Sequence, residues 1–214
     1  MIQISYSSNT SEQYIQAFIA GCQIIQADVQ TVEGHVILAK HAYIIGDYLE
    51  ILLDLATDKT QIILIVPANV DVKCLCHTVK GHNNVAFAVP DLETGKAIAI
   101  ETLCQCTLGL LKTSPDIVHL NVDPIFSFIF LDHQQATGTT IRKLQEHGAG
   151  LKVYVHGALT ERDIQKFELW GADGYLTTIG QKPRKSSIEK SIEKSIEKSL
   201  EKSIEMILNE DGQL

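Results

Sequence analysis

The chain has 214 residues, enough for one domain with a full hydrophobic core, and its 45% hydrophobic and 21% charged fractions are those of an ordinary globular protein. No apolar run approaches the roughly 20 residues of a membrane helix, and MIQISYSSNTSEQ lacks the basic flank and apolar stretch of a signal peptide, so the expectation is a cytoplasmic protein with no membrane span. The net charge is −8; from Lys182 onward seven basic and seven acidic residues cancel, leaving 18 − 7 = 11 basic against 26 − 7 = 19 acidic residues before it, and such a surface disfavours nucleic acid as a partner.

Taken in chain order, IQISY (2–6) reads as a strand and 8–21 as a helix, with Asn9, Thr10 and Ser11 as candidate caps. IIQADVQ (24–30) is a strand, TVEG a turn, and HVILAK (35–40) a further extended run. Residues 45–56 read as a helix with Asp47 as its cap, 61–66 as a buried strand, 70–80 as a short helix, 85–89 as a strand and 91–103 as a helix. The second half continues with strands at 106–111 and 116–121, a helix at 136–147, a strand at 151–157, a helix at 160–171 capped by Thr160, and a strand at 174–178. Setting 35–40 aside, eight strands alternate with helices. That pattern predicts an α/β fold, a compact (β/α)8 TIM barrel over residues 1–180. An open doubly wound sheet lacks its glycine-rich turn after the first strand.

Residues 181–214 form a separate, charged tail. Its Ser-Ile-Glu-Lys repeat (187–208) suits a helix, but a period of four drifts about 40° per repeat against the helical turn. Ile188, Ile192, Ile196, Leu200 and Ile204 therefore make no continuous stripe. The simplest reading is a repeat that caps or frays beyond the barrel; the sharper one is a helix for homo-oligomers or a partner. The five cysteines include two Cys-x-Cys pairs, Cys74/Cys76 and Cys104/Cys106, which read as buried free thiols in preference to a zinc site.

Ser8-Asn9-Thr10 opening a helix, Gln26-Ala27-Asp28-Val29-Gln30, Glu33-Gly34-His35 leading into Val36-Ile37-Leu38, and the stretches 85–111 and 150–178 resemble, in that order, the glycerophosphodiester phosphodiesterase family. The resemblance implies a TIM barrel, two histidines acting as acid and base, and carboxylates holding a divalent cation (Mg or Ca) against the phosphate. It also implies a small phosphorylated ligand. Residue by residue the chemistry is thinned. Tyr6 or Ser7 stands in the first histidine's place, and Gln26 replaces the metal-binding Glu while Asp28 keeps its partner's position. Lys40 occupies the second histidine's place, one residue before His41, and such a slip turns a strand side chain to the other face. Ile65, Val66, Pro67 and Ala68 supply neither the Glu nor the Lys usual there.

The resulting expectation is a catalytically impaired relative with no cofactor or a weakly held cation, its residual metal ligands being Gln26 and Asp28. Ligand-binding candidates are Tyr6, Lys40 and His119; Asp28 reads equally as a structural acceptor. The alternative is an active enzyme with a rewired site in which His41 and His156 do the catalysis. A third reading is a scaffold that assembles through the C-terminal repeat.

Overall fold

The computed structural model describes residues 1–5, 8–40, 44–57, 59–112, 122–147, 150–157 and 159–177. Eight parallel strands close a barrel in the order β1 (Ile2–Ser5), β2 (Ile24–Val32), β5 (Gln61–Ile65), β6 (Val85–Val89), β7 (Thr107–Lys112), β8 (Phe126–Asp132), β9 (Lys152–His156) and β10 (Gly174–Thr177). Closure is made by β1, which pairs with β10 on one side (Ile2 beside Gly174) and β2 on the other (Ile4 beside Ile24). The (β/α)8 barrel expected from the strand–helix alternation is the fold. One of its staves is different: residues 116–121 lie outside the described residues, and the place between β7 and β9 is taken by Phe126–Asp132.

An antiparallel excursion leaves the barrel after β2. β3 (His35–Lys40) folds back on β2 through a two-residue turn at Glu33–Gly34, both at positive φ, and β4 (Ile44–Tyr48) pairs with β3. The first third of the helix expected over 45–56 is therefore strand. The helix proper, α2, begins at Leu49 and ends at Leu55. Asp47 does not cap it: its carboxylate accepts hydrogen bonds from the backbone N–H (2.7 Å) and hydroxyl (2.5 Å) of Ser11, at the start of α1 (Ser11–Ile19). The other helices are α3 (Val72–Thr78), α4 (Leu92–Glu101), α5 (Gly138–His147) and α6 (Glu161–Leu169). Side-chain oxygens of Thr10, Asp71, Asp91 and Thr160 accept from backbone N–H groups at the starts of α1, α3, α4 and α6, meeting donors that a helix leaves unpaired.

Two apolar cores follow from the period-two alternation of strands. One face of each strand packs on the helices. The other fills the barrel with Ile4, Ile24, Ile63, Ala86, Ala88, Phe128, Phe130, Tyr154 and Leu176. Three rings dominate this interior, with Phe128, Phe130 and Tyr154 centroids 5.5–5.7 Å apart. Small residues opposite make room for them. A methyl group on Gly109 would overlap the Phe128 ring, so this stave carries no side chain there. Burial also pushes the Tyr154 phenol up to about 12. The rings make a dry floor, and whatever chemistry the barrel supports lies above them, at the C-terminal ends of the strands.

Trp170 sits at the edge of the outer core: its ring meets Phe167 edge-on at 5.8 Å and carries the Lys166 ammonium 4.4 Å from its centroid. The cysteines are free, as read, but only Cys22 is buried: Cys74, Cys76 and Cys106 are partly exposed and Cys104 is exposed. The Cys74 thiol donates to the Gly34 carbonyl at 3.1 Å, and burial raises the Cys76 thiol to about 11, so it stays protonated. No described helix is long and apolar enough to cross a membrane.

Candidate site at the barrel mouth

The inward alternation of β2 runs Ile24, Gln26, Asp28. Their two-residue spacing puts both site candidates on one face, and Ile24 in the inner core shows that this face is the barrel's interior. Gln26 is buried, only 4% exposed, and its Oε1 has no hydrogen-bond partner. Asp28 is engaged. Asn9, 8% exposed, donates from Nδ2 to Asp28 Oδ2 at 2.8 Å and accepts the Asp28 backbone N–H on Oδ1, also at 2.8 Å. Ser8 N–H donates to the Gln26 carbonyl at 2.8 Å, and the Ser8 and Ser5 hydroxyls meet at 2.6 Å. The segment entering α1 is thus stitched to β2, and the Asp28 carboxylate is one of the stitches. Of the two readings open for Asp28, the structural one has this direct support.

This pair does not fit a divalent cation. Calcium takes about six to eight oxygen ligands and magnesium a near-octahedral shell. Gln26 offers one neutral oxygen, and Asp28 offers one charge already turned to an amide. Among the described residues no group of three or more His, Cys, Asp or Glu is arranged to hold a metal ion.

Across the mouth the arrangement differs. Asp132 and His156 are register partners at the ends of β8 and β9, and both follow inward residues, Phe130 and Tyr154. Burial lowers the His156 pKa and the neighbouring His133 lowers it further; the Asp132 carboxylate works against both. His156 is therefore a neutral imidazole at pH 7, held beside a carboxylate. His133 follows Asp132, and its backbone N–H donates to the His156 carbonyl at 2.8 Å. Its ring lies over Gly157, where φ is +130° and a methyl group would overlap Nδ1, so glycine is required on both counts. His133 Nδ1 is buried and lies 3.5 Å from Asp132 Oδ1, too far for a well-formed hydrogen bond. Asp132 Oδ1 instead accepts the Gln134 N–H at 2.8 Å.

Of the residues proposed from sequence, the structure brings Gln26, Asp28 and His156 to the mouth. Lys40 closes β3, and its side chain is outside the described residues, as are Tyr6, His41 and His119. Sequence reading missed Asp132, His133 and the role of Asn9. The signal for the first two is present: Phe126–Leu131 is a short apolar run broken only by Ser127, as a buried strand's should be, and Asp132-His133 stands at its C-terminal end.

The fold and mouth define a (β/α)8 barrel whose polar groups gather where such barrels place their active sites. No family profile matches the chain, and no curated protein matches it. Solved structures do. A phosphodiesterase from Oleispira antarctica, determined in complex with the product sn-glycerol-3-phosphate, matches with a TM-score of 0.69 at 12% identity, over 82% of this chain and 92% of that one. A glycerophosphodiester phosphodiesterase from Thermotoga maritima matches at 0.67 and 14%, over 83% and 94%, and one from Parabacteroides distasonis at 0.66 and 12%, over 93% and 98%. At these identities the likeness is one of fold, the (β/α)8 barrel expected from the sequence.

Proposed function

We propose that this protein is a relative of the glycerophosphodiester phosphodiesterases that binds a small phosphorylated molecule at the barrel mouth without the family's metal-assisted hydrolysis. The carrying observation is the β2 pair: Gln26 in the metal-binding Glu's place, with an unpartnered buried oxygen, and Asp28 clipped by Asn9. A metal contributes several kcal/mol of charge stabilisation and a placed acid or base ~10²–10⁴-fold, so this loss is severe. The sn-glycerol-3-phosphate held by the Oleispira barrel supports the ligand class. In this reading Lys40, with Tyr6 and His119, meets the phosphate. Asp132 and neutral His156 accept hydrogen bonds from the ligand's hydroxyl groups, since a carboxylate there repels the phosphate itself.

Calorimetry with sn-glycerol 3-phosphate, beside a hydrolysis assay on glycerophosphocholine with added magnesium or calcium, tests this. Binding without turnover is expected. Metal-dependent turnover abolished by Asp28→Ala overturns it.

A second reading has one observation in its favour: Asp132 and His156 are register partners on adjoining strands, and a general base is commonly an imidazole with a carboxylate beside it. Here the enzyme is active, with a site rebuilt around Asp28, His41 and His156. It expects metal-independent hydrolysis that His156→Gln removes, and an inactive parent chain ends it.

A further inference from the structure

Exposed apolar side chains scattered singly are ordinary, whereas a contiguous group marks an interaction surface. Among the described residues ten large hydrophobic side chains are exposed, and five of them, Ile15, Phe18, Ile19, Ile51 and Leu55, lie on α1 and α2 at 41–77% exposure. These two helices pack side by side, and as consecutive helices of such a barrel they run the same way. Their register is fixed at the top, where Ser11 opens α1 and is held by Asp47, just ahead of α2.

Helical spacing then places each side chain. Ser11, Ile15 and Phe18 are i, i+4 and i+7 and share one stripe; since Ser11 meets Asp47, that stripe faces α2. On α2, Glu50 and Asp54 form one stripe, and the Glu50 charge reaches Cys74 on α3. Ile51 and Leu55 form the stripe turned the other way, toward α1. One turn beyond the Ser11–Asp47 contact Ile15 lies beside Ile51, and a turn further Phe18 and Ile19 lie beside Leu55. The five therefore make one continuous face across two neighbouring helices.

The border of this face is acidic. Neither helix contains a Lys, Arg or His, while Glu12, Glu50 and Asp54 are exposed and make no ion pair among the described residues. A second copy of the chain covers it poorly. A twofold pairing sets this acid-bordered face against an identical one, and five part-exposed side chains fall well short of the roughly 800 Å² that each partner gives to a stable dimer. An anionic lipid surface is repelled by the same carboxylates. A helix with Lys or Arg flanking an apolar stripe matches both the apolar centre and the charge of the border.

We infer that the α1–α2 face is a docking site for a basic amphipathic helix of a partner protein, which lays its apolar stripe on Ile15, Phe18, Ile19, Ile51 and Leu55 and its cations on Glu12, Glu50 and Asp54. The face is on the outer wall of the barrel, so it does not depend on what the mouth binds.

The probe is a fluorescein-labelled peptide of about 14 residues, four helical turns, with leucines at i, i+3, i+4 and i+7 spacing and lysine elsewhere. Its control carries glutamate in place of every lysine. Fluorescence anisotropy with the full chain is expected to show saturable binding of the lysine peptide, roughly tenfold or more tighter than the control. Ile51→Ser with Leu55→Ser weakens it roughly tenfold, and Glu12→Gln, Glu50→Gln and Asp54→Asn together weaken it about threefold. Ile100→Ser, an exposed apolar position on α4, leaves it unchanged. Should the double variant fail to fold, Ile19→Ser, the most exposed of the five, decides in its place. No binding of the lysine peptide, equal binding of both peptides, or an equal loss in Ile100→Ser overturns the inference. So does a dimer in sedimentation that Ile19→Ser dissolves, which assigns the face to a second copy. Co-sedimentation with phosphatidylcholine vesicles that Ile19→Ser abolishes also overturns it and assigns the face to a membrane.

Discussion

The two sides of the barrel mouth are built from similar residue types and left in different states. On the β2 side, Asn9 takes both the backbone N–H and the carboxylate of Asp28, so the acid is part of the framework. On the β8–β9 side, Asp132, His133 and His156 crowd together with His133 Nδ1 unpartnered and His156 held neutral by burial. A buried polar group is paired in most folded proteins, and one that is not marks strain or a place for a ligand. The comparison teaches that the β2 acid is spent on the framework, while unspent hydrogen-bonding capacity remains at Gln26 Oε1 on that side and at His133 Nδ1 across the mouth.

Three substitutions sharpen or break this contrast. The largest effect belongs to the floor both sides share: Phe128→Ala removes a ring packed against Phe130 and Tyr154 and is expected to cost about 3–5 kcal/mol by denaturant unfolding. A smaller loss would mean the floor collapses and the mouth is not rigidly supported. Next comes Asn9→Ala, which strips the clip from Asp28 and is expected to cost about 1–3 kcal/mol by the same measurement. Stability unchanged by it would return Asp28 to the list of functional groups.

The smallest effect is a pH slope. The His156 pKa in the folded protein is below its unfolded value near 6.5, so on acidification the unfolded chain binds a proton first. Its contribution is level above pH ~6.5 and falls as the pH drops below that, until the folded imidazole also protonates. Thermal melts across this window should show a loss that His156→Gln reduces. A parent chain with a flat profile would place His156 in water and dissolve the contrast between the two sides.

Much of the barrel was legible because strand alternation and helix caps are local signals. Thr160 and Asp163 show this well. Their capping box is written in four consecutive residues, and although burial alone would raise the Asp163 pKa, the Thr160 N–H and hydroxyl hold it down. The 45–56 segment was misread because apolar residues at helical spacing continue back into 44–48, where pairing with β3 wins over helix propensity. Asp132 and His133 went unread because a sixth strand was assigned upstream, leaving Phe126–Asp132 without a place in the count.

The sequence by itself determined the alternation of strands and helices and the shared face of Gln26 and Asp28, since each depends on residues within a few positions of one another. Only the tertiary structure decided that Asp28 is clipped by Asn9, 19 residues away, and that Asp132 lies beside His156 across two staves. Those contacts arise from parallel register, which is fixed by closing the whole barrel around its three rings.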